Sequence, residues 1–399
     1  MSKRGSSTRR AAVVTLACTA LAVSACGQDK NSTATSASTS GTGTASPASA
    51  SGETASLIGA IKKGTSVDPP AGSRPIAKGK SVVFAVNGMN QESSAINVNA
   101  GLAACKAVGW KCSVVDGKSD PTQWPGLIRT AITQKPDAIV VQGIDCSIIS
   151  TPLKEAAKAG IKTVGMDSFD CNDPAVGGTK EFSSVLLYPN PTNPKESMDY
   201  GKYATLFGQA KAAATVAGAG GKANVIMICD DEALVLKDIC DGQTKEFKAD
   251  GATVTRVDTR LADLGPKLES QVTSALLKDP SANAIVSPHG GATLSIAPAV
   301  QKAGKTNKVF VMGSEGLTAE LDMIRAGLVG GVIAAPVAWK GWAAVDTVNQ
   351  VLAGKPALNN GLGWLLANKA NVPAGKGTAF PASTWPDYVA AYKKSWGVS

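Results

Sequence analysis

Residues 81–116 read SVVFAVNGMNQESSAINVNAGLAACKAVGWKCSVVD, and the order of patterns within them decides the fold. An apolar, β-branched run at 81–87 fits a strand, and residues 91–108 follow with helical spacing. Gly109 stands where a helix closes with a left-handed cap, and 111–116 form a second strand. The alternation continues outward with a helix at 123–134, a strand at 137–142, a helix at 148–159 and a strand at 162–167. It then restarts: strands at 224–229, 253–258, 283–287, 308–313 and 332–335 alternate with helices at 234–249, 266–278, 294–303 and 318–325. Nearly all-apolar strands belong to sheets covered by helices on both faces. Strand–helix alternation requires parallel pairing with right-handed crossovers. The expectation is an α/β fold of two Rossmann-like lobes, each built on a parallel sheet.

In open α/β sheets, ligands bind outside the carboxyl ends of the strands. Two facing lobes would set these ends on opposite walls of one cleft. On the first lobe the rule selects Asn87, Asn90, Gln91, Glu92, Asp116, Asp145, Asp167, Phe169 and Asp170. On the second it selects Asp230, Asp231, Glu232, Asp258, His289 and Glu315. Loops are polar in general, so the recurrence at one topological place is the stronger signal.

The chain starts with Lys3, Arg4, Arg9 and Arg10, followed by an apolar run at 11–25. That run is shorter than the ~20 residues of a membrane span and has the layout of a secretory signal. Val23-Ser24-Ala25-Cys26 resembles the lipobox of bacterial lipoproteins. The resemblance implies a signal peptide at 1–25 and a lipid on Cys26 that anchors the protein to the membrane from outside. Residues 27–56 are almost entirely Ser, Thr, Ala and Gly, which cannot bury enough apolar surface to fold. A flexible tether over 26–75 is expected. Removing the four basic residues of 1–25 from the net charge of +9 leaves +5, with lysines scattered over helix faces. This excludes a nucleic-acid footprint. Cys105, Cys112, Cys146, Cys171, Cys229 and Cys240 remain, an even number that suits disulfides in an exported chain. With one histidine and no CxxC spacing, no metal site or cofactor is expected.

Several runs carry a family likeness. They are Val82-Val83-Phe84-Ala85-Val86-Asn87, Lys135-Pro136-Asp137-Ala138-Ile139-Val140-Val141, Val164-Gly165-Met166-Asp167-Ser168 and Gly313-Ser314-Glu315-Gly316. In order and spacing, residues 80–356 resemble the ribose- and galactose-binding group of bacterial periplasmic binding proteins. The resemblance implies a first lobe of 76–184 and 338–364, and a second lobe of 185–337 and 365–399. Three hinge segments would cross near 183–188, 335–337 and 362–368, and hinge closure would trap the ligand. It implies the extracytoplasmic, monomeric, non-enzymatic ligand-binding component of an ABC importer. Its partners would be a small polar solute and the permease subunits in the membrane.

The departures from that family bear on the ligand. Gly88-Met89-Asn90-Gln91 replaces the Asn, Pro and aromatics usual after the first strand, and Asp167-Ser168 keeps the acid of an Asp-Arg pair without the guanidinium. An arginine usual on the first helix of the second lobe is missing near Asp238. His289-Gly290 stands for Asn-Asp, and Glu315 for an Asp. Asp167 and Glu315 remain acceptors for hydroxyls, with Phe169, Trp339 or Trp342 to stack on a ring. An acid-rich cleft without arginine suits a neutral sugar or polyol, or a cation, better than an anion. Among fifteen possible pairings of six cysteines, topology favours Cys105–Cys112, Cys146–Cys171 and Cys229–Cys240, all local to one lobe.

Other signals are weaker. Gly218-Ala219-Gly220-Gly221-Lys222 has Val216 and Ala223 where a phosphate loop needs Gly and Ser or Thr, and it precedes a strand. His289 has no Gly-x-Ser-x-Gly elbow beside it. A signalling receptor of the same fold and a secreted hydrolase using His289 are the rival readings. A transcriptional regulator is excluded, because signal and tether occupy the place of its DNA-binding helices.

Overall fold

The computed structural model describes residues 52–399. The expected signal, Cys26 and residues 26–51 of the expected tether lie outside the described residues. The rest of the stretch expected to be a tether departs from that reading, because α1 (Gly52–Lys63) is a helix. Leu57 and Ile61, one turn apart, are buried on its inner face, and Thr54 is hydrogen-bonded to Glu246 of the second lobe.

The first lobe runs through β1 (Ser81–Val86), α2 (Glu92–Ala107), β2 (Lys111–Asp116), α3 (Trp124–Thr133), β3 (Ala138–Gln142), α4 (Cys146–Lys158), β4 (Lys162–Met166) and β5 (Ser184–Val185). Its sheet has the order β2-β1-β3-β4-β5, all parallel. The reason β1 is apolar throughout is visible in its neighbours. Val82, Phe84 and Val86 face one core, while Val83 and Ala85 face another on the opposite side.

A hairpin follows, β6 (Tyr188–Asn190) with β7 (Asn193–Met198), and then α5 (Tyr200–Gly218). The second lobe continues as β8 (Asn224–Cys229), α6 (Leu234–Ala249), β9 (Thr253–Asp258), α7 (Pro266–Lys278), β10 (Ala284–Val286), α8 (Gly290–Lys302), β11 (Phe310–Met312), α9 (Thr318–Arg325) and β12 (Gly331–Ala334). After α10 (Trp339–Leu352) comes β13 (Leu365–Asn368), which adds to the second sheet in the order β13-β12-β11-β10-β8-β9 and is its one antiparallel member. The last helix is α11 (Tyr388–Trp396).

Two helix pairs approach to backbone contact through glycine. A Cβ on Gly341 of α10 would stand 2.2 Å from the Asn97 carbonyl oxygen of α2. On α5 and α6, a Cβ at Gly208 or Gly242 would stand 2.1 Å from the carbonyl oxygen of Ile239 or Thr205. These contacts bring Asn97 next to Lys340, and the aromatic side chains of α5 next to α6.

The chain crosses between lobes at 186–188, at 335–338 and at 359–364, where Leu187 and Asn359 lie side by side. The third crossing comes earlier than expected because residues 365–368 pair within the second sheet. Two further segments span the lobes. An N-terminal strap donates from Thr65 N to Trp364 O (2.8 Å) and from Val67 N to Gly361 O (2.9 Å). It then ion-pairs Arg74 with Asp346 on α10 at 3.0 Å. The tail, expected with the second lobe, lies there only as far as Trp385, after Val372 and Phe380. Its α11 ends on the first lobe, where Trp396 stacks on Trp342 at 5.6 Å and donates to Asp346 at 2.7 Å. The apolar face of α10, carrying Trp339 and Trp342, supplies the burial that an amphipathic tail needs.

Disulfides join Cys105 to Cys112, Cys146 to Cys171 and Cys229 to Cys240. Among the described residues, no helix is long and apolar enough to cross a membrane.

Candidate functional site

A cavity of about 90 Å³ lies where α5, the start of α6, the loops after β10 and β11 and the first turn of α10 meet. A larger groove of about 350 Å³ lies on the hinge side between the strap, the β6–β7 hairpin and residues 358–361. It holds none of the strand-end candidates, so the smaller cavity is the site that the topology selects.

One wall is aromatic. Tyr200, Tyr203 and Phe207 share a face of α5, with ring centroids 6.0 and 6.3 Å apart along the stack. Tyr188, from the first crossing, rests 4.3 Å from Tyr203, and Phe169 meets Tyr200 edge-on at 5.5 Å. A lysine stands over two of the rings: Lys340 Nζ is 5.9 Å from the Tyr203 centroid and Lys211 Nζ 5.7 Å from that of Phe207.

The polar groups are set by the strand ends. Asp167 leaves β4 in the left-handed region, at φ 53°, which aspartate tolerates better than most residues. Its carboxylate accepts from Asn97 Nδ2 (3.0 Å), from the Tyr188 hydroxyl (3.1 Å) and from Lys340 Nζ (2.8 Å). Burial opposes the charge of Lys340, but Asp167, Tyr203 and Glu315 hold its pKa above the ordinary value. Burial pushes Glu315 up to about 6, against the pull of Lys340 and Lys211. Glu320 organises the loop that carries it, accepting from the backbone N–H of Ser314 (2.7 Å), Gly316 (2.9 Å) and Leu317 (3.3 Å).

His289 caps α8: its Nδ1 accepts from Ala292 N–H at 3.3 Å. The neutral ring therefore carries its proton on Nε2. Burial, helped by Lys211, pushes the pKa down to about 4, so the ring is neutral at physiological pH. Nε2 is buried at the cavity wall without a hydrogen-bond partner among the described residues.

The lobes also touch near Tyr200. Asp145 accepts from Phe169 N–H (3.1 Å) in its own lobe and from Leu234 N–H, the first residue of α6, in the other. Burial pushes Asp145 up to about 6, and Asp173 adds to the shift. Asp238 on α6 is also pushed up to about 6, by burial and then by Asp173 and Asp241.

Of the residues read from the sequence, the structure brings His289 and Glu315 into the cavity lining, with Asp167 behind it on Lys340 and Tyr188, and Phe169 against Tyr200 of the aromatic wall; Asp145 and Asp238 lie outside the lining. The others do not line it. Asn87 accepts from Gly88 N and Ser94 Oγ, and Ser119 links Asn90 to Gln91. Glu92 is exposed at the start of α2. Asp230 is buried, and its carboxylate accepts from Glu232 N at 2.9 Å. Glu232 faces Arg260 and accepts from Leu261 N. Trp339 requires a correction: it is a core residue, stacked on Tyr388 at 4.7 Å and donating to the Tyr392 hydroxyl at 3.3 Å. The rings that do line the cavity, and both lysines, were missed. The spacing of Tyr200, Tyr203, Phe207 and Lys211 on one helical face was the available signal.

The family model described as periplasmic binding protein domain matches residues 96–356. The chain belongs to this family. Type I periplasmic binding proteins share its fold of two parallel-sheet lobes, and solute binding is the family role. An ABC transporter solute-binding protein of Agrobacterium vitis, solved with α-D-tagatopyranose, superposes with a TM-score of 0.62 at 21% identity, covering 73% of this chain and 96% of that one. A second from Agrobacterium vitis, with allitol, gives 0.61 at 23% identity, covering 74% and 97%. One from Mycobacterium smegmatis, with glycerol, gives 0.60 at 19% identity, covering 76% and 100%. At these identities the structural likeness speaks to the fold. No curated protein matches the sequence.

Proposed function

We propose that this periplasmic binding protein captures a neutral polyhydroxylated solute, a sugar or a polyol, between its lobes. It delivers the solute as a monomer to an ABC permease, held at the outer face of the membrane by a lipid on Cys26. The observation that carries this reading is the compensation of charge around the cavity. Asp167 is paired with Lys340, and Lys211 is engaged by loop oxygens at Pro288 and Ser314. Burial raises the pKa of Glu315 to about 6, with Lys340 and Lys211 close by, and the cavity lining holds no arginine fork to grip a carboxylate or phosphate. What is left for a ligand is an aromatic face, the Nε2–H donor of His289 and the carboxyl of Glu315, a set suited to CH faces and hydroxyls. The tagatopyranose, allitol and glycerol of the structural neighbours are in keeping with it. His289 is a poor general base, because its Nδ1 is spent on the helix cap and its pKa lies well below neutrality; binding without turnover is the role we assign.

A thermal-shift series on the mature protein tests the reading. Allitol, glycerol and monosaccharides are compared with dicarboxylates, amino acids and nucleosides. A ligand bound only by the folded state raises the melting temperature, by about 2.7 kcal/mol of stabilisation at a hundredfold excess over Kd. A shift with polyols or sugars is expected; a shift confined to anionic compounds would overturn it.

A further inference from the structure

Lys211 is fully buried on α5, and it has no carboxylate within ion-pair distance among the described residues. Its ammonium donates instead to the Ser287 carbonyl, the Pro288 carbonyl (3.4 Å) and Ser314 Oγ (3.2 Å). Those acceptors belong to two different loops, one after β10 that ends in His289 and one after β11 that carries Glu315. A second bridge reinforces the first: Thr293 Oγ1 lies 3.0 Å from Ser287 Oγ and donates to Glu320 at 2.9 Å. Burying an ammonium without a carboxylate partner is costly, so burial alone does not account for a lysine here.

We infer that Lys211 is a positioning residue, whose ammonium clamps the two second-lobe loops together and so presents His289 Nε2 and the Glu315 carboxyl to the solute. The inference rests on the cavity being the solute site. The charged groups around the clamp are Glu315 and Glu320, with Lys340 beyond Glu315.

The test is Lys211→Met in the full mature protein. Methionine fills a similar volume but leaves the three oxygens without their donor, so a modest fall in melting temperature is expected. His289 is the only histidine in the chain, so one imidazole NMR signal reports on the clamp without any ligand. Its titration midpoint is expected to move upward in Lys211→Met, as a neighbouring positive charge is lost. Affinity for allitol is expected to fall at least tenfold. An unchanged imidazole titration, or allitol affinity within twofold of wild type, would overturn the inference. If wild type binds no polyol, the proposed function fails while the imidazole titration still judges the clamp. If Lys211→Met does not fold, Ser314→Ala removes one acceptor and leaves the charge. A shifted His289 resonance with a severalfold loss of allitol affinity is then expected, and no change in either would overturn it.

Discussion

Asp167 shows how a familiar position can be put to another use. The strand-end rule picked it out, and the structure surrounds it with three donors, leaving little acceptor capacity for a ligand. The pair it forms with Lys340 is only about a tenth exposed on either side. Removing one partner of such a pair costs about 3–5 kcal/mol, whereas replacing both is often neutral. Asp167→Asn is therefore expected to be strongly destabilising, and Asp167→Asn with Lys340→Met much less so, measured by urea unfolding of the double-mutant cycle. Additive losses would contradict the pairing. Glu315 makes a pH prediction. Its pKa is raised from 4.5 to about 6 in the folded chain, so its contribution is full below pH 4.5 and lost as pH rises through 6. His289 acts in the opposite sense, with stability present above pH 6.5 and lost as pH falls through 4. Comparing wild type with Glu315→Gln isolates the acid: the variant should gain roughly 2 kcal/mol relative to wild type between pH 4.5 and 7. Parallel pH profiles would refute the assignment. His289 and Glu315 in the cavity lining, and Asp167 behind Lys340, were legible because strand ends are read from periodicity. The lysines were not, because their destination depends on which helix comes to lie against which.

At the scale of elements, the strands and most helices of both lobes were legible, since the central strands are apolar on both faces and several helices end at a glycine, among them Gly109, Gly160, Gly251, Gly304 and Gly327. The helix α5 was not read at all. Its alanine-rich middle is buried nearly all round, so it lacks the polar face that marks an amphipathic helix. Its start is marked only by Asp199, which caps it by accepting from Lys202 N at 2.9 Å. The helix α1 was absorbed into the low-complexity tether, because Leu57 and Ile61 are too few to stand out in a Ser- and Ala-rich stretch. The glycine contacts give a test at this scale. Gly341→Val would drive its side chain into the backbone of α2, and a loss of about 3 kcal/mol is expected by denaturant titration. Because the same contact sets Lys340 beside Asn97, solute affinity should fall together with stability. A variant that keeps wild-type stability would show that α2 and α10 are not held at backbone distance.

Across the whole molecule, five segments rather than three span the lobes, and the two additional ones clasp each other. Arg74 N donates to Ser395 O at 2.7 Å, and Ser395 Oγ donates to Gly72 O. Both segments converge on Asp346, which takes the Arg74 guanidinium and the Trp396 indole. Arg74→Leu leaves that carboxylate without its buried cation, so a loss of about 3–5 kcal/mol is expected in urea unfolding. A loss below about 1 kcal/mol would show that the clasp is ornamental. None of this was legible in the sequence, because the contacts of the strap with α10 and the tail join residues more than 270 positions apart.

The clasp also means that the tail finishes against the N-terminal strap. A flexible Gly-Ser linker from Ser399 to Gly52, ahead of α1, would close the chain into a loop, and new termini could be cut in the β6–β7 turn at residues 191–192, beside the first crossing. Fluorophores fused at that cut would sit on the moving joint, converting solute capture into an optical signal.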